Sequence, residues 1–315
     1  MQYRTLGSSG MQCSVVALGT WAFGGDSFGT IVDSQCIDTV HKALDVGVNF
    51  IDTAPAYGDG HSEELIGKAL KGKREKALVA TKCGTDRDGK AYFNDGSPAH
   101  IRKQLERSLR LLDTDYIDLY QMHWPDPNHP FEDTFREFAK MQQEGKIRHI
   151  GVSNFTVQQM EQIKDLCAVV SLQPPYSLLD RRIEHEILPY CDSNGIGILS
   201  YGSIGAGVLT GKFKERPTFL PHDPRNGFYP FFSEENWPRT KAMVTELEAI
   251  AQTHSKPAVH VAINWVLAQS PNMIALVGAK TVEQMADNAG AADWELSKDE
   301  LERIEKAYQR IFDQR

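Results

Sequence analysis

Eight short apolar runs recur along this chain, and each is followed by a stretch whose apolar residues fall at i, i+3, i+4 spacing. The runs are VVALG from Val15, VNFID from Val48, ALVATK from Ala77, YIDLYQMH from Tyr116, IRHIGVS from Ile147, AVVSLQ from Ala168, IGILSY from Ile196 and MIALVG from Met273. Continuous apolar character, rather than strict alternation, marks strands buried on both faces, as in a parallel sheet covered by helices. Eight such strand–helix units in 315 residues predict an α/β fold, a closed (β/α)8 TIM barrel, with residues 1–315 forming a single domain. Helix starts are legible: Ser97 as N-cap with Pro98 behind it, and Ser62 as N-cap with Glu63 and Glu64 in the first turn. The opening YRTLGSSGMQCS reads as a β-hairpin ahead of the barrel, and SKDELERIEKAYQRI, after Glu295, as a closing C-terminal helix. An open, doubly wound sheet would carry GxGxxG after its first strand; here that strand runs into GTWAFGGDSFG, which lacks the fingerprint. The segment from Gly202 to Pro238, rich in Gly, Pro and aromatics, reads as a long loop over an active site.

In such a barrel the chemistry belongs at the carboxyl ends of the strands. Polar residues gather there: Asp52 ends the second strand, Lys82 the third, His123 the fourth, Ser153 and Asn154 the fifth, Gln173 the sixth and Tyr201 the seventh. One polar strand end is ordinary; six in succession, in a barrel otherwise apolar inside, point to a site. Tyr57 stands five residues beyond Asp52 on the turn TAPAYGDG, where Gly58 and Gly60 let the chain double back over the mouth. A phenol is a weak acid at neutral pH, and a nearby ammonium is expected to lower its pKa. Lys82 suits that role, Asp52 can hold Lys82 charged and fixed, and His123 can donate a hydrogen bond to a substrate oxygen. Together these groups make a proton donor aimed at a carbonyl.

Asp52, Tyr57, Lys82 and His123, in this order, resemble the tetrad of the aldo-keto reductases. FIDTAPAYGDGHSEELIGKAL, ERSLRLLDTDYIDLYQMHWPD, GKIRHIGVSNF and GAKTVEQMADN resemble that family's signature stretches, so the match spans nearly the whole chain. The resemblance implies that Tyr57 is the general acid/base, that Lys82 and Asp52 tune it and that His123 polarises or orients the carbonyl. It implies reduction of an aldehyde or ketone to an alcohol, with hydride from NADPH bound in extended form. Ser153, Asn154 and Gln173 offer the donors and acceptors a carboxamide needs, Tyr201 offers a ring face for the nicotinamide, and the resemblance assigns them those roles. It adds Gly19, Thr20 and Trp21 at the end of the first strand. In YGSIGAGVLTGKF, the backbone at Gly202, Ser203, Gly205, Gly207 and Leu209, followed by Gly211 and Lys212, is expected to approach a pyrophosphate. A nucleoside-triphosphate loop is excluded there, because Ala206 stands where the first glycine of GxxxxGK belongs and Phe213 where Ser or Thr should follow. Gly278, Lys280, Thr281, Gln284 and Asn288 resemble the family's adenosine-phosphate site, with helix amides behind them. Val277 replaces the usual proline, and Lys280 is the only basic residue between Gly278 and Asn288. NADP is therefore expected over NAD, with Lys280 as the phosphate's partner and Lys212 or Arg225 as substitutes. Trp21 and Trp124, next to strand ends, are expected to wall the substrate pocket beside Tyr57 and His123. Phe228, Tyr229, Phe231 and Phe232 either join that wall or pack loops.

Composition narrows the partners. A net charge of −8, with no block of Lys and Arg, gives no electrostatic footprint for nucleic acid or an anionic membrane, which leaves a small-molecule carbonyl substrate. The opening MQYRTLGSSG lacks a basic region followed by an apolar run, and no stretch of about 20 apolar residues follows, so neither export nor membrane insertion is expected. Five scattered cysteines, Cys13, Cys36, Cys83, Cys167 and Cys191, with no CxxC pair, read as reduced thiols in a cytoplasm. Cys83 beside Lys82 reads as inert. The prolines of HWPDPNH, with Pro130 after them, remove the helical face that usually presents metal ligands, so no metal is expected. Two other readings stay open. One is a cofactor-sensing regulatory subunit, since the family includes channel-associated subunits with the same tetrad; the lack of an appended N-terminal segment favours the free-standing enzyme. The other is a Schiff-base aldolase using Lys82.

Overall fold

The computed structural model describes residues 1–25, 27–88 and 91–313. A short antiparallel hairpin, β1 (Tyr3–Thr5) and β2 (Gln12–Ser14), precedes eight parallel strands that close on themselves. These are β3 (Val16–Gly19), β4 (Phe50–Asp52), β5 (Leu78–Cys83), β8 (Ile117–Met122), β9 (Ile147–Ser153), β10 (Val169–Gln173), β11 (Gly197–Ser200) and β12 (Met273–Gly278), and β12 pairs with β3 to complete the barrel. A second antiparallel hairpin, β6 (Thr85–Asp88) and β7 (Ala91–Asn94), stands directly after β5. The periodicity does not announce it, since β7 is exposed along its whole length and buries no apolar face.

Helices cover the outside: α1 (Asp33–Asp45), α2 (His61–Leu70), α3 (Pro98–Leu111), α4 (Phe131–Gln143), α5 (Val157–Ile163), α6 (Ile187–Asn194), α7 (Trp237–Thr253), α8 (Ala258–Ala268), α9 (Val282–Ala289) and α10 (Lys298–Phe312). Ser97 caps α3 with Pro98 in the first turn, and Ser297 closes a reciprocal capping box with Glu300 at the start of α10. Ser62 is not a cap. Helix α2 begins at His61 from a left-handed Gly60, and the Ser62 hydroxyl is buried between Thr20 and Thr53, bonded at 2.9 Å to each side chain. Packing against the first two strand ends takes the hydroxyl that a cap would have used.

Two apolar layers follow from the strand period of two. Residues such as Val16, Leu18, Ile51 and Val79 face the helices, whereas Ala17, Phe50, Ala80, Leu119, Leu199 and Ile274 fill the barrel interior. The hairpin plugs the amino end, adding Leu6, Met11 and Cys13 to the interior cluster, and Gly7 lies so close to Val170 and Gly197 that a Cβ there would sit 2.2 Å from the Val170 carbonyl. Asp52, Lys82 and Gln121 each stand two residues beyond an interior apolar residue. They therefore form the topmost interior layer, at the open carboxyl end.

Candidate active site

The tetrad assembles from three strand ends and one turn. Gly58 (φ 64°) approaches the loop after β3 so closely that a Cβ would meet the Gly24 oxygen at 2.2 Å. This approach swings Tyr57 back over the barrel mouth, its ring stacked at 6.1 Å on that of Trp21 and edge-on at 6.1 Å to that of His123. Behind the phenol, Lys82 is wholly buried, and its Nζ donates to Asp52 Oδ1 (2.6 Å), the Thr53 carbonyl (2.8 Å) and Tyr57 Oη (3.2 Å). Three acceptors match the three protons of an ammonium. With Tyr57 Oη receiving from Lys82, its own O–H is left to point toward the cavity. Asp52 Oδ2 accepts from Gln173 Nε2 (2.8 Å) and Gln121 Nε2 (3.1 Å), so the carboxylate is held from both sides.

The electrostatics differ from the expectation for Tyr57. Part of its ring faces the cavity, yet enclosure by protein pushes the phenol well above its ordinary value, and the Asp52 carboxylate pushes it the same way. The ammonium is there, as expected, but burial wins, so the group stands as a protonated donor. Burial also lowers Lys82, against the ion pair with Asp52. His123 is driven well below its ordinary value by burial and by the Lys82 charge, which leaves a neutral imidazole. Lys82 is sealed behind Tyr57 and does not line the cavity, which removes the access a Schiff-base aldolase would need.

A cavity of about 840 Å³ opens in front of this group. Gly19, Thr20, Trp21, Asp52, Tyr57, His123, Trp124, Ser153, Asn154, Gln173 and Tyr201 line it, with Gly202, Ser203, Gly207, Lys212, Gly278, Lys280, Gln284 and Asn288. Besides Lys82, four residues expected to touch the cofactor do not line the cavity. Leu209 is buried in the outer core, Gly205 packs on Val208 and Leu209, Gly211 closes a 3-10 turn against Glu248, and Thr281 caps α9 by accepting from the Gln284 amide. The glycine-rich segment coils into 3-10 turns, which bring Gly202, Ser203, Ala206, Gly207 and Lys212 to the cavity and turn Gly205, Leu209 and Gly211 away from it.

Asn154, in the left-handed region (φ 62°), donates to the His123 carbonyl (3.1 Å) and Ser153 Oγ (3.0 Å) and accepts from Tyr201 Oη (3.0 Å). Ser153 Oγ donates to the Gln173 carbonyl at 2.8 Å. These bonds leave acceptor capacity on Asn154 Oδ1 and Gln173 Oε1. At the far end, Lys280 Nζ bonds the carbonyls of Phe28 (2.9 Å) and Thr30 (3.4 Å), so it ties two loops together rather than standing free. The long loop adds Lys212 and Arg225, the latter held by Asp223, and like charge among the three cations lowers Lys212 and Lys280 beyond what burial does.

The long loop divides its aromatics. Phe228 and Tyr229 line the cavity, whereas Phe231 and Phe232 are buried in the core, Phe232 edge-on to Phe213 and Phe219. Residues not singled out in the sequence also line it: Thr85, Tyr92, Phe93 and Asn94 from the second hairpin, and Phe28. Only the pair of aromatics in an exposed strand hinted at them. Around HWPDPNH, Asp95, Asp126 and His129 come within 4.8 Å of one another. Their oxygens already accept from the backbone of Gly96, Ser97 and Asn128, and His129 Nδ1 bonds Asp126 at 2.7 Å, which accounts for the group as a loop staple. All five cysteines are free, and among the described residues no helix is long and apolar enough to cross a membrane.

Comparison with known proteins agrees with this geometry. The family model described as "Aldo/keto reductase family" matches residues 15–309. Aldo-keto reductase YhdN of Bacillus subtilis is 40% identical over 307 residues, covering 96% of this chain and 92% of that protein. The NADH-specific methylglyoxal reductase of Escherichia coli is 34% identical, covering 93% of this chain and 94% of that protein. The structure of a glycerol dehydrogenase from Gluconobacter oxydans superposes with a TM-score of 0.92 at 40% identity, covering 100% of this chain and 97% of that one.

Proposed function

Because the chain belongs to the aldo/keto reductase family, we propose that it reduces aldehydes or ketones to alcohols at the mouth of this barrel, with Tyr57 giving the proton and NADPH as reductant. The observation that carries the reading is the arrangement around Tyr57 Oη: an ammonium bonded behind it, a neutral imidazole beside it and an open cavity in front.

The residues fit a nicotinamide dinucleotide. The cavity runs from Tyr57 and His123 to the cations Lys212, Arg225 and Lys280, passing the backbone of Gly202 and Gly207. Asn154 Oδ1 and Gln173 Oε1 are placed to accept from a carboxamide, and Tyr201 gives a ring face. When bound, the nicotinamide supplies a hydride to the carbonyl carbon. Tyr57 donates its proton to the carbonyl oxygen, and Lys82, already bonded to Oη, stabilises the phenolate left behind. His123, neutral and at the cavity wall, donates to the same oxygen and fixes its direction. Trp21 and Trp124 exclude water from one side. The phenolate regains its proton from solvent through the open mouth, and the site is reset.

Three cations at the phosphate end support NADPH over NADH, since a 2′-phosphate brings charge that only a basic cluster offsets. The E. coli relative is named as NADH-specific, so the ratio is the informative quantity. Free thiols throughout support a reducing compartment, the cytoplasm, and one barrel from end to end supports a single-domain enzyme. A panel of aldehydes, ketones and sugar derivatives assayed with NADPH and with NADH, by loss of absorbance, tests the reading. Turnover with NADPH that drops by ~10² or more in Tyr57→Phe, with cofactor binding retained, is the expected result. Cofactor binding without turnover of any carbonyl would point instead to a sensing role.

A further inference from the structure

Behind the tetrad, on the helix-facing side of β5, lies a carboxyl with no part in the chemistry above. Glu63, in the first turn of α2, is wholly buried. Its Oε1 accepts from Thr81 Oγ1 at 2.7 Å, and Thr81 directly precedes Lys82. Among the described residues Oε2 has no partner at full hydrogen-bond geometry; the buried Ser108 hydroxyl on α3 faces the carboxyl and favours its charged form without completing a regular bond. A buried acid with one oxygen unserved is costly, and a glutamine or an aliphatic residue would fill a strand–helix seam more cheaply.

We propose that Glu63 is a positioning residue for the proton donor: a carboxyl bonded to Thr81, the residue before Lys82, on the helix-facing side of β5, whose charge biases the Lys82–Tyr57 pair from behind. The inference rests on the reading of Tyr57 as proton donor. Burial raises the Glu63 carboxyl to about 7, against the Thr81 and Ser108 hydroxyls and the charges of Arg107 and Lys82. The groups around it are few. Lys82 and Thr81 lie on β5, Ser108 and Arg107 on α3, with Arg107 paired to Asp59 at 2.8 Å, and Tyr120 on β8 feels the Glu63 charge. Below that value Glu63 is neutral; above it the carboxylate stabilises the Lys82 ammonium, and a negative charge at this depth also favours the protonated phenol. Proton affinity at the front of the site is thus coupled to a titration at its back.

Glu63→Gln tests this without depending on turnover. The carboxyl has a folded-state pKa above its ordinary value, so the folded protein binds more protons than the unfolded chain between about 4.5 and about 7, and stability falls as pH rises through that window. Melting of Glu63→Gln relative to wild type should therefore improve progressively across that window and level off above it; a difference independent of pH overturns the titration and the proposal with it. The Tyr57 phenolate, assigned by the ultraviolet signal lost in Tyr57→Phe, should form at a pH lower by about half a unit in Glu63→Gln, and the alkaline limb of kcat/KM should move with it. An unmoved phenolate overturns the proposal even where melting behaves as expected. Should Glu63→Gln fail to fold, Thr81→Val removes the hydroxyl that favours the carboxylate and should move the near-neutral inflection of kcat/KM or of cofactor-free melting upward; no movement counts against the coupling. A wild type inert toward every carbonyl, yet with a Tyr57 titration that shifts in Glu63→Gln, would sink the reductase reading and leave the coupling standing.

Discussion

Lys82 is the residue on which the others depend, because among the described residues its ammonium is the only counter-charge within bonding distance of Asp52, and its third proton reaches Tyr57. Removing one partner of a buried ion pair strands the other charge, at a cost of about 3–5 kcal/mol. Lys82→Met is therefore expected to abolish turnover and to lower stability by that order in urea unfolding, with Lys82→Met/Asp52→Asn recovering part of the loss because no unpaired carboxylate remains. Full stability in the single variant would show that Asp52 is satisfied by Gln121 and Gln173 alone. At the far end of the cavity, Lys280 Nζ holds the Phe28 and Thr30 carbonyls, and the proposed phosphate contact would be a second role for it. A charge-assisted bond contributes about 1.5–3 kcal/mol, so Lys280→Ala and Arg225→Ala should each weaken NADPH binding roughly ten- to a hundredfold in a fluorescence titration. NADH should bind nearly as before. Equal losses for both cofactors in Lys280→Ala would assign that residue to the loop tether instead of the phosphate.

Among the elements, the turn between β4 and α2 decides whether the tetrad exists at all. Its two glycines adopt positive φ, 64° at Gly58 and 88° at Gly60, and a Cβ on Gly58 would run into the Gly24 oxygen. Alanine in the left-handed region costs about 1–2 kcal/mol by itself, and the clash adds to it. Gly58→Ala should thus lower the melting temperature by a few degrees. It should also cut kcat far more than the folded fraction, because the turn that retreats from Gly24 carries Tyr57 with it. A variant that melts earlier but turns over normally would detach Tyr57 from the turn geometry. The second hairpin, β6–β7, shows the opposite behaviour: it contributes Tyr92 and Phe93 to the cavity while burying little of itself, so pocket shape is supplied by an element the core does not hold.

Over the whole molecule, the hairpin plug at the amino end and the polar layer at the carboxyl end make the barrel open on one side only, so a ligand in that mouth meets Gly19, Asp52, His123, Ser153, Gln173, Tyr201 and Gly278, at or just beyond the ends of seven strands. Binding to the folded state alone stabilises by about 2.7 kcal/mol at a hundred times Kd. NADPH should accordingly raise the melting temperature more than NADH at equal concentration, and identical shifts would mean that Lys212, Arg225 and Lys280 do not discriminate. Much of this design was legible in the chain. Eight doubly buried strands admit few closures, and the period of two places Asp52 and Lys82 on the same inner face as Phe50 and Ala80, so the barrel, the tetrad and the mouth follow from local pattern. What the chain did not disclose depends on packing between segments far apart in sequence. Ser62 left its cap position for a bond network with Thr20, Gly205 and Leu209 turned inward with the coiling of their loop, and Lys280 was drawn to carbonyls about 250 residues away. The direction of the Tyr57 pKa belongs to the same class. Residue types told that an ammonium would be near, but whether charge or desolvation prevails is fixed by how completely the fold encloses the phenol, and enclosure is a property of the tertiary structure alone.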